Sequence, residues 1–431
     1  MPATLPSTPD VVVIGGGVAG IAAARSLIAA GRSVVILEAG SRIGGRACTD
    51  SQTFGTPHDL GCAWLQGPSD LPHLRYARRR GFTLLDHRAP PEVFIVGDRR
   101  ATAAERRRYA STVQRIGGAI ARAGDVAVAA CVDDTAPFAG AALAWLGALD
   151  HAVDYPDLST ADVNALGPVE ANVLVREGLG TLVEAFGARL PVRLGTTATC
   201  IRWGGRDVRI DTDSAGTLRA AACIVTVSTG VLAAGHLRFV PALPAWKAEA
   251  IGHLPMGLLA KVALQFDGER FGLRRNAWLT YDLPAGAPTE ACFFLCFPHG
   301  SNLLVGFVGG RFGWQLSAAG ERAAIEHALD VLSRCIGSRV RRHFVRGHLT
   351  DWATNPRTLG AYAAATPGQH AARAALARPL LGRLFFAGEA TDPQYFALVA
   401  GAHRSGEAAA NAVLAAGAPQ VRPTAAGRSG A

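Results

Sequence analysis

The chain has 431 residues, enough for two or three domains at roughly 150 residues each, and its 49% hydrophobic and 18% charged content excludes a disordered or fibrous protein. The formal charge of +9 is concentrated: between Arg75 and Arg108 ten arginines stand against four acids. No stacking aromatics are interleaved there, so the stretch reads as a solvated helical face and nucleic acid is not expected as a partner.

The eight cysteines form no Cys-x-x-Cys pair. Cys200, Cys223, Cys292 and Cys296 sit among apolar neighbours, as buried thiols do in a reducing compartment, and a cytoplasmic location is expected. There is no metal-ligand spacing, no basic-then-apolar leader, and no charge-free apolar run of about 18 residues, so neither a metal nor a membrane span is expected.

Residues 11–14, VVVI, form a short buried strand, followed by Gly15, Gly17 and Gly20 in the spacing Gly-x-Gly-x-x-Gly. Gly15 permits a tight turn, Gly17 leaves room for a pyrophosphate, and Gly20 lets the following helix approach the sheet. The helix stops at Gly31, and a second strand, SVVILEAG, ends near Glu38, whose carboxylate can accept from ribose hydroxyls and disfavours a 2′-phosphate. Together these elements indicate dinucleotide binding. SRIGGR then brings Gly44, Gly45 and Arg46 back toward the pyrophosphate. The next segment, GTPHDLGCAWLQG, is glycine-punctuated and aromatic, like a wall around a ring system, where a simple nicotinamide domain would continue into another helix and strand.

From about Pro68 to Pro191 the pattern is mainly helical, with VFIV at 93–96 as a short strand and a helix over 178–190. Strands return in TCIRW, DVRIDTD, LRAACIVTVS and LRFVPALP, with VRIDTDSAGTLRA reading as a hairpin. KVALQFDG, AWLTYDL, ACFFLCFP and NLLVGFVGG suit a mostly antiparallel sheet closed by the helix ERAAIEHALDVLSRCIG. LFFAGEAT then repeats the opening grammar of strand, glycine and acid before a small-residue helix, whose first N–H groups would face a negatively polarised cofactor atom.

Of the 43 basic residues only Lys247 and Lys261 are lysines. Lys247, in the polar PAWKAEA, is expected to be solvated. Lys261 lies in apolar MGLLAKVALQF and is either a buried site residue able to orient a water or an edge-strand lysine reaching solvent. His58, His253, His299 and His403 are scattered and read as local hydrogen-bonding groups.

These motifs make the chain similar to the flavin-containing amine oxidases, from about Val11 to Leu414. The resemblance is carried by GGGVAG with LEAGSRIGGR, DLGCAWLQG, GVLAAGHLRFVPALPAWKAEAI with KVALQF, WATNPRTLGAY, and FAGEATDPQYFALVAGAHRSGEAA. It implies a two-domain α/β fold, with a Rossmann-type FAD-binding domain and a substrate domain of mixed sheet and helices. The implied division gives the FAD domain residues 1–85, 191–240 and 346–418, the substrate domain 86–190 and 241–345, and a flexible tail 419–431.

By resemblance, Gly15, Gly17, Gly20, Gly45 and Arg46 would meet the phosphates, Glu38 the adenosine ribose, Ala198 the adenine, and Gly388, Glu389 and Ala390 the ribityl and phosphate end. Lys261 matches the lysine that holds a water beside flavin N5. Trp352 and Tyr362 match the aromatic segment of the site, Tyr362 being one wall of the cage that aligns the amine. Trp64 and Gln66 would line the substrate pocket.

Three departures qualify the match. Ala361 stands where covalently flavinylated members carry cysteine, so non-covalent FAD is expected. Leu398 replaces the second cage aromatic. Gln66 stands where polyamine-specific members tend to have histidine. The implied reaction is oxidation of an amine to an imine, with dioxygen reduced to hydrogen peroxide. An FAD dehydrogenase or desaturase with poor oxygen use is the alternative, and a flavin-bound interaction module without turnover is a third class. The amine and dioxygen are the expected partners, and a homodimer is compatible with the fold.

Overall fold

The computed structural model describes residues 8–417; the expected tail 419–431 lies outside them. The opening strand Val11–Ile14 is the centre of a five-stranded parallel sheet in the order Val192–Arg193, Val34–Leu37, Val11–Ile14, Ala222–Val225, Leu384–Phe386. Three stretches distant along the chain thus supply one sheet. The central strands are unbroken apolar runs because both faces are covered.

The helix Val18–Ala29 lies against the C-terminal helix Val399–Ala415, and the small residues of the latter permit this: a Cβ on Gly406 would come within 2.2 Å of the Ala19 carbonyl oxygen. The two glycine-led units at opposite ends of the sequence are therefore packed together.

A seven-stranded sheet forms the second body, in the order Phe344–Leu349, Leu259–Phe266, Leu303–Gly309, Phe293–Cys296, Ala277–Tyr281, Glu92–Val96, Arg99–Arg100. All pairs are antiparallel except Ala277–Tyr281 with Glu92–Val96. The four expected strands are present, and the short strand expected at 93–96 joins their edge. The expected hairpin is also found, as Val208–Thr212 paired with Thr217–Ala220.

The mainly helical stretch contains elements the periodicity does not predict. Ala171–Val175 is the middle strand of a small sheet between Trp64–Gly67 and Leu84–Asp86. The run AALAWLGALD is an α-helix, Ala139–Leu143, that widens into a π-helix, Ala144–Leu149. Among the described residues no helix is long and apolar enough to cross a membrane.

Two expectations are corrected here. Lys247 is not solvated: it is fully buried, and Nζ donates to the carbonyls of Ala375 (3.2 Å), Leu376 (2.8 Å) and Arg378. It caps the end of helix Ala372–Ala377, whose last carbonyls have no partner within the helix. The polar look of PAWKAEA is misleading because another helix ends on this face. Desolvation draws the lysine pKa down to about 7. His58 is not hydrogen-bonded at Nε2, which is buried without a partner, and burial holds its pKa at about 3.

Candidate active site

A single cavity of about 1260 Å³ runs from the glycine turn to the seven-stranded sheet. Drug-sized ligands occupy roughly 300–1,000 Å³ sites, so this one has room for a dinucleotide and a second, smaller molecule.

At the glycine end the backbone forms a cradle. Gly17 bridges Gly44, and a Cβ on Gly45 would stand 3.3 Å from the Gly17 Cα. Helix Val18–Ala29 has no side-chain cap and no acid in its first turn, and both Val18 and Ala19 line the cavity. Its unpaired N–H groups therefore suit a pyrophosphate. Gly20 does not line the cavity; a Cβ there would lie 2.0 Å from the Gly15 carbonyl oxygen, so its place is in helix–strand packing.

The Glu38 carboxylate is held by the Gly16 N–H (2.7 Å) and the Gly40 N–H (2.6 Å) and keeps lone pairs for a diol. Ala198 lines the same end. These groups fit the pyrophosphate and adenosine portions of FAD.

Arg46 and Glu389 are paired with each other. Arg46 Nη1 donates to Glu389 Oε1 at 2.9 Å and to the Ala361 carbonyl at 2.7 Å. Glu389 also accepts from the N–H groups of Ala363 (3.1 Å) and Ala397 (2.9 Å). This joins the first segment of the chain to the last and fixes the backbone on both sides of Tyr362. Gly388 and Glu389 line the main cavity and Ala390 does not. Arg42, which the sequence did not single out, supports the glycine loop through the carbonyls of Ile43, Gly45 and Ala47.

Lys261 is on the interior strand Leu259–Phe266, facing the cavity and 4% exposed. Nζ donates to the carbonyls of Asp59 (2.7 Å) and Gly61 (2.6 Å), leaving the third ammonium hydrogen unassigned. Trp352 Nε1 donates to the carbonyl between them, Leu60, at 2.9 Å. Lys261 and Trp352 thus clamp three successive carbonyls of one loop.

The Asp59 side chain anchors that loop from behind, accepting from Thr49 Oγ1 (2.6 Å) and from the Leu179 and Gly180 N–H groups at the start of a helix. Desolvation draws the Lys261 pKa down to about 8, opposed by the charge of Asp59. Burial pushes the Cys62 thiol up to about 12, so it is an inert wall residue.

Tyr362 lines the cavity and donates to the Leu149 carbonyl at 2.8 Å; burial raises its pKa well above the usual range, so the phenol stays neutral. Leu398 is the N-cap residue of the C-terminal helix and also lines the cavity. Trp64 and Gln66 alternate with buried Leu65 on their strand and so share the cavity face.

Trp64 Nε1 donates to His87 Nδ1 (3.1 Å), which leaves His87 Nε2–H to donate to the Asn276 carbonyl (2.9 Å). Sequence reading missed Trp145, Trp278, Phe307 and Asp150 on this wall. The isolated tryptophan and the closing aspartate in the otherwise apolar AALAWLGALD were the available signal.

The profile of a family described as “Flavin containing amine oxidoreductase” matches residues 18–149 and 156–414. Among curated relatives, “Polyamine oxidase 4” of Oryza sativa subsp. japonica is 27% identical, covering 94% of this chain and 88% of that protein. “Lysine-specific histone demethylase 1 homolog 1” of the same organism is 30% identical, covering 96% of this chain and 53% of that protein. In fold, the chain is similar to a wild-type putrescine oxidase structure bound to putrescine, with a TM-score of 0.77, 20% identity, and coverage of 95% of this chain and 99% of that one.

Proposed function

The chain belongs to the flavin-containing amine oxidoreductases, and from that premise we propose that it is an FAD-dependent amine oxidase releasing an imine and hydrogen peroxide. One observation carries the reading: a single cavity joins the glycine cradle and Glu38 to Lys261 and Tyr362.

FAD, when bound, supplies the two-electron acceptor for the carbon next to the amine nitrogen and returns the electrons to dioxygen. The chain's own residues do the rest. The amides of Val18 and Ala19 and the Gly17–Gly45 approach take the pyrophosphate, and Glu38 takes the ribose. Ala361 offers no thiol for covalent attachment at that position.

Tyr362, fixed at its hydroxyl by the Leu149 carbonyl and at its backbone by the Arg46–Glu389 pair, presents its ring to the amine with little freedom to lose on binding. Leu398 closes the site with an apolar group where a second aromatic would sandwich the nitrogen. Lys261 keeps one ammonium hydrogen for the cavity, where it would hold a water or stabilise developing negative charge.

The test is a screen of amines on purified yellow protein, with bleaching of the flavin, peroxide and the aldehyde from imine hydrolysis all measured. Stoichiometric peroxide is expected. Flavin reduction with turnover only through an artificial dye would replace the oxidase by a dehydrogenase.

A further inference from the structure

His87 lines the cavity and is 4% exposed, yet the scheme above gives it no task. It is held on all sides. Its N–H donates to the Asn172 carbonyl at 2.8 Å and its carbonyl accepts from Asn172 Nδ2 at 3.2 Å. Its ring takes the Trp64 indole N–H on Nδ1 and donates through Nε2 to the Asn276 carbonyl. Asn172 stands directly opposite Gln66 on the strand paired with Trp64–Gly67, so backbone and ring of His87 are tied to the same strand pair.

The direction of this relay is forced. A carbonyl can only accept, so the Asn276 oxygen requires the proton on Nε2, and burial lowers the His87 pKa, which keeps the ring neutral. Nδ1 then carries a lone pair, which suits an indole N–H because that group can only donate. Asn276 is a fixed anchor: its N–H donates to the Cys296 carbonyl at 2.6 Å, and its Oδ1 accepts from the His299 N–H at 2.7 Å.

What the relay holds is one plate of an aromatic wall. Trp64 stacks on Trp278 with ring centroids 5.7 Å apart and planes at 19°, and leans on Phe307 at 5.7 Å; Trp278 meets Trp145 edge-on at 4.8 Å. All four rings line the cavity, and Lys261 Nζ lies over the Phe307 ring at 5.5 Å. Trp278 stands two residues after Asn276, so one anchor sets both stacked plates, Trp278 through the chain and Trp64 through the His87 ring. Ring contacts tolerate several offsets, whereas a buried N–H with one acceptor does not.

We propose that His87 is a positioning residue that sets the width of the cavity at the seven-stranded sheet: by fixing the Trp64 indole against Trp278 it decides how bulky the body of an amine can be. The inference rests on the amine-oxidase reading. Without the acceptor the indole N–H is left buried and unpaired and turns out of the stack to find a partner, so the wall opens to bulky amines and loses its contact with slender ones.

The experiment compares n-alkylamines with amines of equal length carrying a branched or cyclic body on the FAD-loaded enzyme. The variants are His87→Leu, His87→Asn, Trp64→Phe, and His87→Leu combined with Trp64→Phe. In parallel, binding of non-oxidisable trimethylammonium ions with the same slender and bulky bodies is measured by calorimetry. His87→Leu should raise the bulky-to-slender ratio of kcat/KM on the order of 10-fold, mainly through KM. His87→Asn keeps an acceptor where Nδ1 stood and should stay within about threefold of wild type in that ratio. Trp64→Phe has no N–H to fix, so adding His87→Leu to it should move the ratio no further.

His87→Gln keeps a donor for Asn276 but no acceptor at the Nδ1 position; it replaces His87→Leu if that variant does not fold, and should show the same rise. An unmoved ratio in the variant lacking the acceptor, an equal rise in His87→Asn, or an undiminished effect in the Trp64→Phe background would overturn the positioning role. If no amine bleaches the flavin while loss of the acceptor still shifts trimethylammonium binding toward the bulky ions, the positioning role stands and the amine-oxidase reading falls.

Discussion

Replacing Lys261 by Met removes the ammonium and keeps most of the side-chain volume, separating the cost of burying that charge from its use. Burial draws the Lys261 pKa from 10.5 to about 8; at about 1.4 kcal/mol per unit, the charged form is about 3 kcal/mol less favourable in the folded chain than in the unfolded one. Between pH 8 and 10.5 the unfolded chain binds the additional proton, so this cost is present in full below pH 8 and is relieved as pH rises toward 10.5.

Against the relief that Met brings stands the loss of two charge-assisted hydrogen bonds, to Asp59 and Gly61, each contributing roughly 1.5–3 kcal/mol. Cavity water replaces part of that. The variant should therefore lie within about 2 kcal/mol of wild type at neutral pH, and its stability should vary less between pH 8 and 10.5.

Activity should not be spared. Loss of one preorganised donor costs on the order of 10²-fold in the step that uses it. Rapid-mixing measurements of anaerobic flavin reduction by amine and, separately, of reoxidation by dioxygen locate that step. Reoxidation involves no substrate ionisation, so a wild-type decline as pH passes about 8, absent from the variant, would report the lysine itself. Unchanged rates in both half-reactions, with a large loss of thermal stability, would refute the reasoning and reduce Lys261 to a clamp on the loop at 59–61.

Tyr362→Phe loses only the bond to the Leu149 carbonyl and should retain most activity, whereas Tyr362→Ala should cost roughly 10- to 100-fold in kcat/KM from lost positioning; steady-state rates on one good amine decide this. Glu389→Gln leaves Arg46 without its counter-charge and should lower stability by about 2–4 kcal/mol, because the arginine is partly open to the cavity, and weaken FAD retention, followed by thermal unfolding and flavin release on dilution. Lys247→Ala strands the carbonyls of Ala375 and Leu376 and should destabilise by about 2–4 kcal/mol in denaturant titration while turnover per bound flavin stays within twofold. Gly45→Ala puts a Cβ 3.3 Å from the Gly17 Cα at a φ of +59° and should yield protein that purifies largely free of FAD, read from its visible absorbance.

The glycine turn, Glu38 and the four strands of the large sheet were legible because each is a local pattern: consecutive apolar residues need cover on both faces, and a glycine is required wherever backbones must touch. Lys261 stood out for a related reason, a charge set in an apolar strand, yet its neighbours there could equally have belonged to an edge strand. Only the pairing of Leu259–Phe266 between Leu303–Gly309 and Phe344–Leu349 makes that strand interior and turns its lysine onto a loop 200 residues away.

What the order of residues determined by itself was the nucleotide-binding grammar, since its spacings follow from the reach of a few adjacent peptide units. Tertiary structure decided the partners of the charged groups, because a charge seeks whichever unsatisfied group the fold brings near, whatever its distance along the chain. It sent Lys247 to the end of a helix beginning 125 residues further on, at Ala372, and joined Arg46 to Glu389. It also left Asp150, the residue that follows an apolar helix, lining the cavity.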